Sequence, residues 1–212
     1  MRWLAHDADP GDRLFKEIVR CDTCGQAQQE QYLRQLCGLT GEMLGWRLAN
    51  TDCSADNAAV LDTVRTLSSV PAWLLTLHGP NGRGKTRMLS VLVNEGRAAN
   101  WTAVYLTTAE LLDHLRSAYA PNSPEASFDG LWDKVIHAKI LVLDELDRWN
   151  PTPWAQEKFF ELVDQRYRRG DECLTAFATN AEPQTLPAYL HSRIYDRRCV
   201  VLRLDGPDWR QI

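Results

Sequence analysis

The sequence has no apolar run approaching the length of a membrane span. Its first residues, Met1-Arg2-Trp3-Leu4-Ala5-His6-Asp7, turn acidic before the apolar core of a signal peptide could form. Both absences point to a protein of the cytoplasm. There is no excess of positive charge either: 24 Lys and Arg face 28 Asp and Glu, for a formal net charge of −4. That excludes a generally basic nucleic-acid coat, so any contact with DNA must come from a local patch. No internal repeat is visible. The six cysteines, Cys21, Cys24, Cys37, Cys53, Cys173 and Cys199, fall mostly in the first quarter of the chain, which speaks against the disulfide framework of a secreted domain. What remains is 44% hydrophobic and 25% charged over 212 residues, enough for one sizeable core and a small appendage.

The chain is organised around Gly79-Pro80-Asn81-Gly82-Arg83-Gly84-Lys85-Thr86, which satisfies the phosphate-loop pattern G-x-x-x-x-G-K-[ST] at every fixed position. An apolar strand pattern, Trp73 to Leu77, enters it, and a helical pattern from Thr86 to Val93 leaves it. The chemistry follows from that context. Glycines let backbone N–H groups converge on an anion, the helix N-terminus adds its positive end, and Lys85 brings a full charge to the outer phosphates. Thr86 offers a hydroxyl to magnesium.

Residues 1–55 are polar and Gln-rich and read as a small, mainly helical N-terminal region for binding a partner; residues 56–212 read as the nucleotide-binding domain. Within the first region, Cys21-Asp22-Thr23-Cys24-Gly25 has the shape of a zinc knuckle, and Cys37 and Cys53 could complete four thiolates. Ordinary reduced thiols beside a capped helix over 26–39 are the competing reading. In the second region a helix is expected over 57–67, and strands over 101–106, 140–143, 174–178 and 199–204. Thr107-Thr108-Ala109-Glu110 has the capping-box spacing of a helix start. Another helix is expected from Ala155 to Arg169, whose Arg166, Arg168 and Arg169 read as a solvated end. Five strands alternating with helices make an α/β fold with a parallel sheet.

The run Ile140-Leu141-Val142-Leu143 delivers Asp144 and Glu145 to the C-terminal tip of a buried strand, where ligand sites of open α/β sheets lie. Asp144 is placed to hold magnesium, and Glu145 to polarise a water for in-line attack on a γ-phosphate. Asn180, ending the next strand, could orient that water. A P-loop kinase would need a lid and an acceptor motif, and neither is evident.

The motifs GPNGRGKT, LVLDELD, ATN and SRIYDR, in this order, resemble the AAA+ ATPases, specifically the DnaC/DnaI helicase loaders and IstB transposition helpers, over about residues 40 to 212. The resemblance implies a three-layer fold with a five-stranded parallel sheet and no C-terminal lid domain. It also implies ATP and Mg²⁺ bound between subunits of an ATP-dependent oligomer. Asn180 would be sensor 1 and Arg193 the arginine finger, with Arg197 as second candidate. The partners implied are the chain itself, a replicative helicase or a transposase, and single-stranded DNA, which Arg116, Tyr119, Arg148, Trp149 and Trp154 are placed to meet. The function expected is ATP-driven loading of the replicative helicase in DNA replication. The alternatives are help to a transposase, or a nucleotide-gated scaffold with little hydrolysis.

Overall fold

The computed structural model describes residues 3–5, 18–20, 36–67, 74–118, 128–209 and 211. The chain forms two compact units, Met1–Leu36 and Cys37–Ile212. In the first, the short strands β1 (Trp3–Ala5) and β2 (Ile18–Arg20) pair antiparallel, with Leu4 opposite Val19. Cys21, Cys24 and most of the helix expected over 26–39 lie outside the described residues.

The compact units divide at 36/37 rather than near 55, and side chains explain why. Asn94 Nδ2 donates to the carbonyls of Met43 (2.8 Å) and Trp46 (2.9 Å), while the Arg47 guanidinium donates to the Asn94 carbonyl at 2.6 Å. Leu48 N–H donates to Glu95 at 3.0 Å, and Cys37 and Leu39 are buried in the core. Residues 37–55 thus belong to the second unit, where their polar groups are tied to Asn94 and Glu95.

That unit is built on a wholly parallel sheet in the order β4 (Ala103–Thr107), β5 (Ile140–Asp144), β6 (Leu174–Thr179), β3 (Leu74–His78), β7 (Cys199–Arg203). The first four strands are buried almost throughout, as apolar runs covered on both faces require. Alternation divides them. Leu75, Leu77, Tyr105, Val142 and Ala176 face a layer made by α1 (Ala58–Leu67) and α2 (Lys85–Ala98). Phe177 points the other way, toward Phe159 of α5 (Pro153–Arg168), with ring centroids 6.3 Å apart. α3 (Thr108–Ser117) and α4 (Phe128–His137) pack with α5, and α6 (Ala188–Ile194) lies against α5 and β7. The expected capping box is present: Glu110 N–H donates to Thr107 Oγ1 (3.1 Å) and Thr107 N–H to Glu110 Oε2 (2.8 Å).

One residue departs from the sequence reading in the fold itself. Arg166, expected at a solvated helix end, is fully buried. Its guanidinium donates to the carbonyls of Val135, Ile136 and Ala138 at 2.9–3.0 Å, to Leu174 at 2.7 Å, and to Thr175 Oγ1 at 2.8 Å. It closes the C-terminus of α4 and the start of β6 at once, and the negative end of α4 offsets part of its desolvation. Burial lowers its pKa to about 10, so it stays charged at neutral pH. Arg166→Met keeps most of the volume but strands several buried carbonyls, and should cost on the order of 3–5 kcal/mol. A urea midpoint falling at unchanged slope would show this; a midpoint within error of the parent would contradict it.

Candidate nucleotide site

The sheet order sets β3, β5 and β6 side by side, so the phosphate loop, the Asp144-Glu145 pair and Asn180 emerge at one edge. Within the loop, Gly79 (φ 129°) and Gly82 (φ 76°) take backbone conformations that side chains rarely adopt. A Cβ on Gly79 would collide with the Leu204 carbonyl, and one on Gly82 with the Asp208 carboxylate. The segment after β7 therefore packs directly against the loop, and Trp209 N–H donates to the Gly82 carbonyl at 3.0 Å.

Lys85 opens α2 and is buried. Its Nζ donates to the carbonyls of Gly79 (2.6 Å) and Pro80 (2.8 Å) and to Asn180 Oδ1 (3.0 Å). A buried ammonium held by neutral oxygens at a helix N-terminus is well suited to a polyphosphate. Behind it, Asp144 Oδ2 accepts from Thr86 Oγ1 (2.7 Å) and from the Tyr105 hydroxyl (2.6 Å), while Oδ1 accepts from Glu145 N–H (2.7 Å). Thr86 and Asp144 thus offer the two protein oxygens that suit magnesium, which takes its other ligands from phosphates and water. Tyr105 was not singled out from the sequence. It stands opposite Val142, two residues before Asp144 on the same face, a neighbourhood visible only once the strand order is known. Burial, and then the Asp144 charge, push its pKa well above the ordinary tyrosine value, so it remains a donor.

Glu145 leaves β5 in the left-handed region (φ 52°), uncommon for a residue with a side chain and typical of functional sites. Asp147, also missed in the sequence, holds Asn180. Its Oδ1 accepts from Asn180 N–H (2.9 Å) and Thr179 Oγ1 (3.0 Å), and its Oδ2 from Asn180 Nδ2 (3.2 Å). Burial pushes the Asp147 carboxyl up, but the hydrogen bonds from Asn180 and Thr179 outweigh it and leave the pKa below the ordinary value. The Asn180 amide is thereby fixed with its oxygen on Lys85 and its nitrogen on Asp147.

These groups line a cavity of about 530 Å³ that continues past Trp46, Asn57 and the 49%-exposed Trp209. Its size suits a nucleotide.

The other sequence candidates separate. Arg193 is only 18% exposed, with Nη2 2.6 Å from Asp164 Oδ1 and Nη1 donating to the Tyr189 carbonyl at 3.0 Å. The Phe160 and Tyr167 rings lie 5.5 and 5.4 Å from its guanidinium. Arg197 is exposed and has no partner among the described residues. Of the DNA candidates, Trp149 donates its indole N–H to the Leu146 carbonyl (2.9 Å) and packs on Phe159, a packing role. Arg148 lines the nucleotide cavity. Arg116 lies over the Trp154 ring at 5.3 Å, and Tyr119 is outside the described residues. As for zinc, the buried Cys37 Sγ accepts from Tyr105 N–H at 3.2 Å, and Cys53 is exposed. Among the described residues no three His, Cys, Asp or Glu group as a metal centre requires. Nor is any helix among them long and apolar enough to cross a membrane.

Comparison with known proteins accords with this site. Residues 48–203 match the family described as IstB-like ATP binding protein. An ATP-binding protein of an IS21-like insertion sequence from Bacteroides fragilis is 28% identical over 152 residues, covering 66% of this chain and 53% of the relative. The replicative helicase loader DnaI of Bacillus subtilis is 25% identical over 124 residues, covering 58% of this chain and 37% of the loader. The chain thus spans about half or less of the length of these relatives. A crystal structure of the DnaC helicase loader superposes with a TM-score of 0.65 at 16% identity, covering 78% of this chain and all of that one, which establishes a shared fold. A family match over most of the chain, joined to an intact phosphate loop, identifies the protein as a member of the IstB-like ATP-binding family.

Proposed function

We propose that this protein hydrolyses ATP and uses the cycle to assemble or remodel a protein partner on DNA. The observation that carries it is the convergence of Lys85, the Thr86–Asp144 pair, Glu145 and Asn180 on one cavity. Lys85 meets the outer phosphates. Thr86 and Asp144 would hold a magnesium ion, which supplies charge neutralisation on the β- and γ-phosphate oxygens. Glu145 accepts the proton of the attacking water, and Asn180, braced by Asp147, orients that water. A scaffold that binds ATP without cleaving it would not need the last two groups.

For the client, the family match and the Bacteroides relative support help to a transposase, and the DnaI likeness supports loading of a replicative helicase. Either client would be met on DNA in the cytoplasm, and the lack of a membrane-spanning helix among the described residues is compatible with that location. Arg116 stacked on Trp154 is the described pair best suited to single-stranded DNA, a base stacking on the indole while the guanidinium meets phosphate.

The test is ATP turnover with and without single-stranded DNA, followed by ATP-dependent capture of either purified client. Turnover and capture of the transposase alone would fix the transposition role, and capture of the helicase alone the loading role. ATP binding without turnover under every condition would return the protein to the scaffold reading.

A further inference from the structure

Arg148, three residues beyond the proposed general base, lies at the mouth of the phosphate site. One guanidinium nitrogen, Nη1, is 3.3 Å from Glu145 Oε1, and the other, Nη2, donates to Asn81 Oδ1 of the phosphate loop, also at 3.3 Å. Its own backbone N–H donates to the Glu145 carbonyl at 2.9 Å, closing the turn that follows the left-handed Glu145. The position is therefore set by the backbone, while the side chain reaches from one catalytic element to the other. Asn81 follows Pro80, whose carbonyl binds Lys85, so the guanidinium stands at the end of the loop nearest the lysine that receives the outer phosphates.

We propose that Arg148 contacts the γ-phosphate of ATP bound to its own subunit and, in doing so, releases Glu145 to accept a proton from water. The inference rests on the ATP-hydrolysing function proposed above. The Arg148–Glu145 pair is 51% and 44% exposed, and an ion pair so open to solvent is held only weakly. A terminal phosphate offers a guanidinium fork more charge and more acceptor oxygens than one carboxylate, so the exchange of partners is favourable. ADP lacks that group and leaves Arg148 on Glu145, where it occupies the oxygen a water would need. The contact thus makes the site discriminate between ATP and ADP, because only a ligand with different interactions in two arrangements can shift their balance.

Arg148→Gln and Arg148→Lys are compared with the parent by calorimetric titration in magnesium, with ADP and with the non-hydrolysable analogue AMPPCP. Arg148→Gln is expected to weaken AMPPCP about tenfold, the loss of one charged hydrogen bond, while ADP changes by less than about twofold. Arg148→Lys should recover part of the difference. Equal weakening of both nucleotides, or no change in either, would overturn the assignment while leaving ATP hydrolysis by the parent intact. A parent that binds neither nucleotide would sink the function and this inference together.

Discussion

Lys85→Ala should lose ATP binding, whereas Glu145→Gln should keep it and stop at the chemical step. Lys85 Nζ is held by two loop carbonyls and Asn180, so its ammonium is already in place for the anion and pays little to be ordered on binding. One or two charge-assisted hydrogen bonds to phosphate are worth about 1.5–3 kcal/mol each, so affinity should fall by roughly a hundredfold or more. Glu145→Gln keeps the size and hydrogen bonding of the side chain but removes its basicity, a contribution of about two to four orders of magnitude in rate. A fluorescent ATP analogue reads the first effect and phosphate release the second, with circular dichroism as the check on folding. Parental turnover by Glu145→Gln would remove Glu145 from the role of base.

The two variants also bear on what the sequence made legible. The phosphate loop and the Asp144-Glu145 pair could be read because their signals are local: fixed spacing, an apolar run, a strand tip. The five strands were found for the same reason, and the structure moves their ends by only one or two residues. What escaped depends on strand order. Tyr105 reaches Asp144 across a strand pair, and Asp147 reaches Asn180 from the loop after β5 to the tip of β6. No spacing rule links positions 39 or 33 residues apart. Arg166 was misread because helix-end arginines are usually solvated, and only the third dimension brings the end of α4 and the start of β6 to one guanidinium. α4 itself went unread in the sequence. Arg148 was offered for DNA because the family resemblance points to loops facing a central channel; that its guanidinium reaches Asn81 of the phosphate loop is visible only in the fold.

The same distinction governs the arginine finger. Arg193 matches the family motif, yet its guanidinium is committed within its own subunit to Asp164, the Tyr189 carbonyl and two aromatic rings. Reaching a neighbour's γ-phosphate would mean surrendering a half-buried ion pair together with its stacking. Arg197, beyond the end of α6, has no such commitments among the described residues. We therefore expect Arg197→Ala to bind ATP normally and hydrolyse it far more slowly, since such fingers are worth on the order of 10³–10⁵ in GTPases. Arg193→Ala should instead lose about 1–3 kcal/mol of stability, read as a lower urea midpoint. The decisive experiment mixes inactive proteins. Lys85→Ala subunits keep the finger without a working site, and Arg197→Ala subunits keep the site without the finger, so hybrid interfaces should regain turnover. Co-assembly without recovery would place Arg197 outside the reaction. If Arg193→Ala subunits, still folded, recovered activity in the same mixture, the finger would be Arg193 and its bond to Asp164 would have to open on co-assembly.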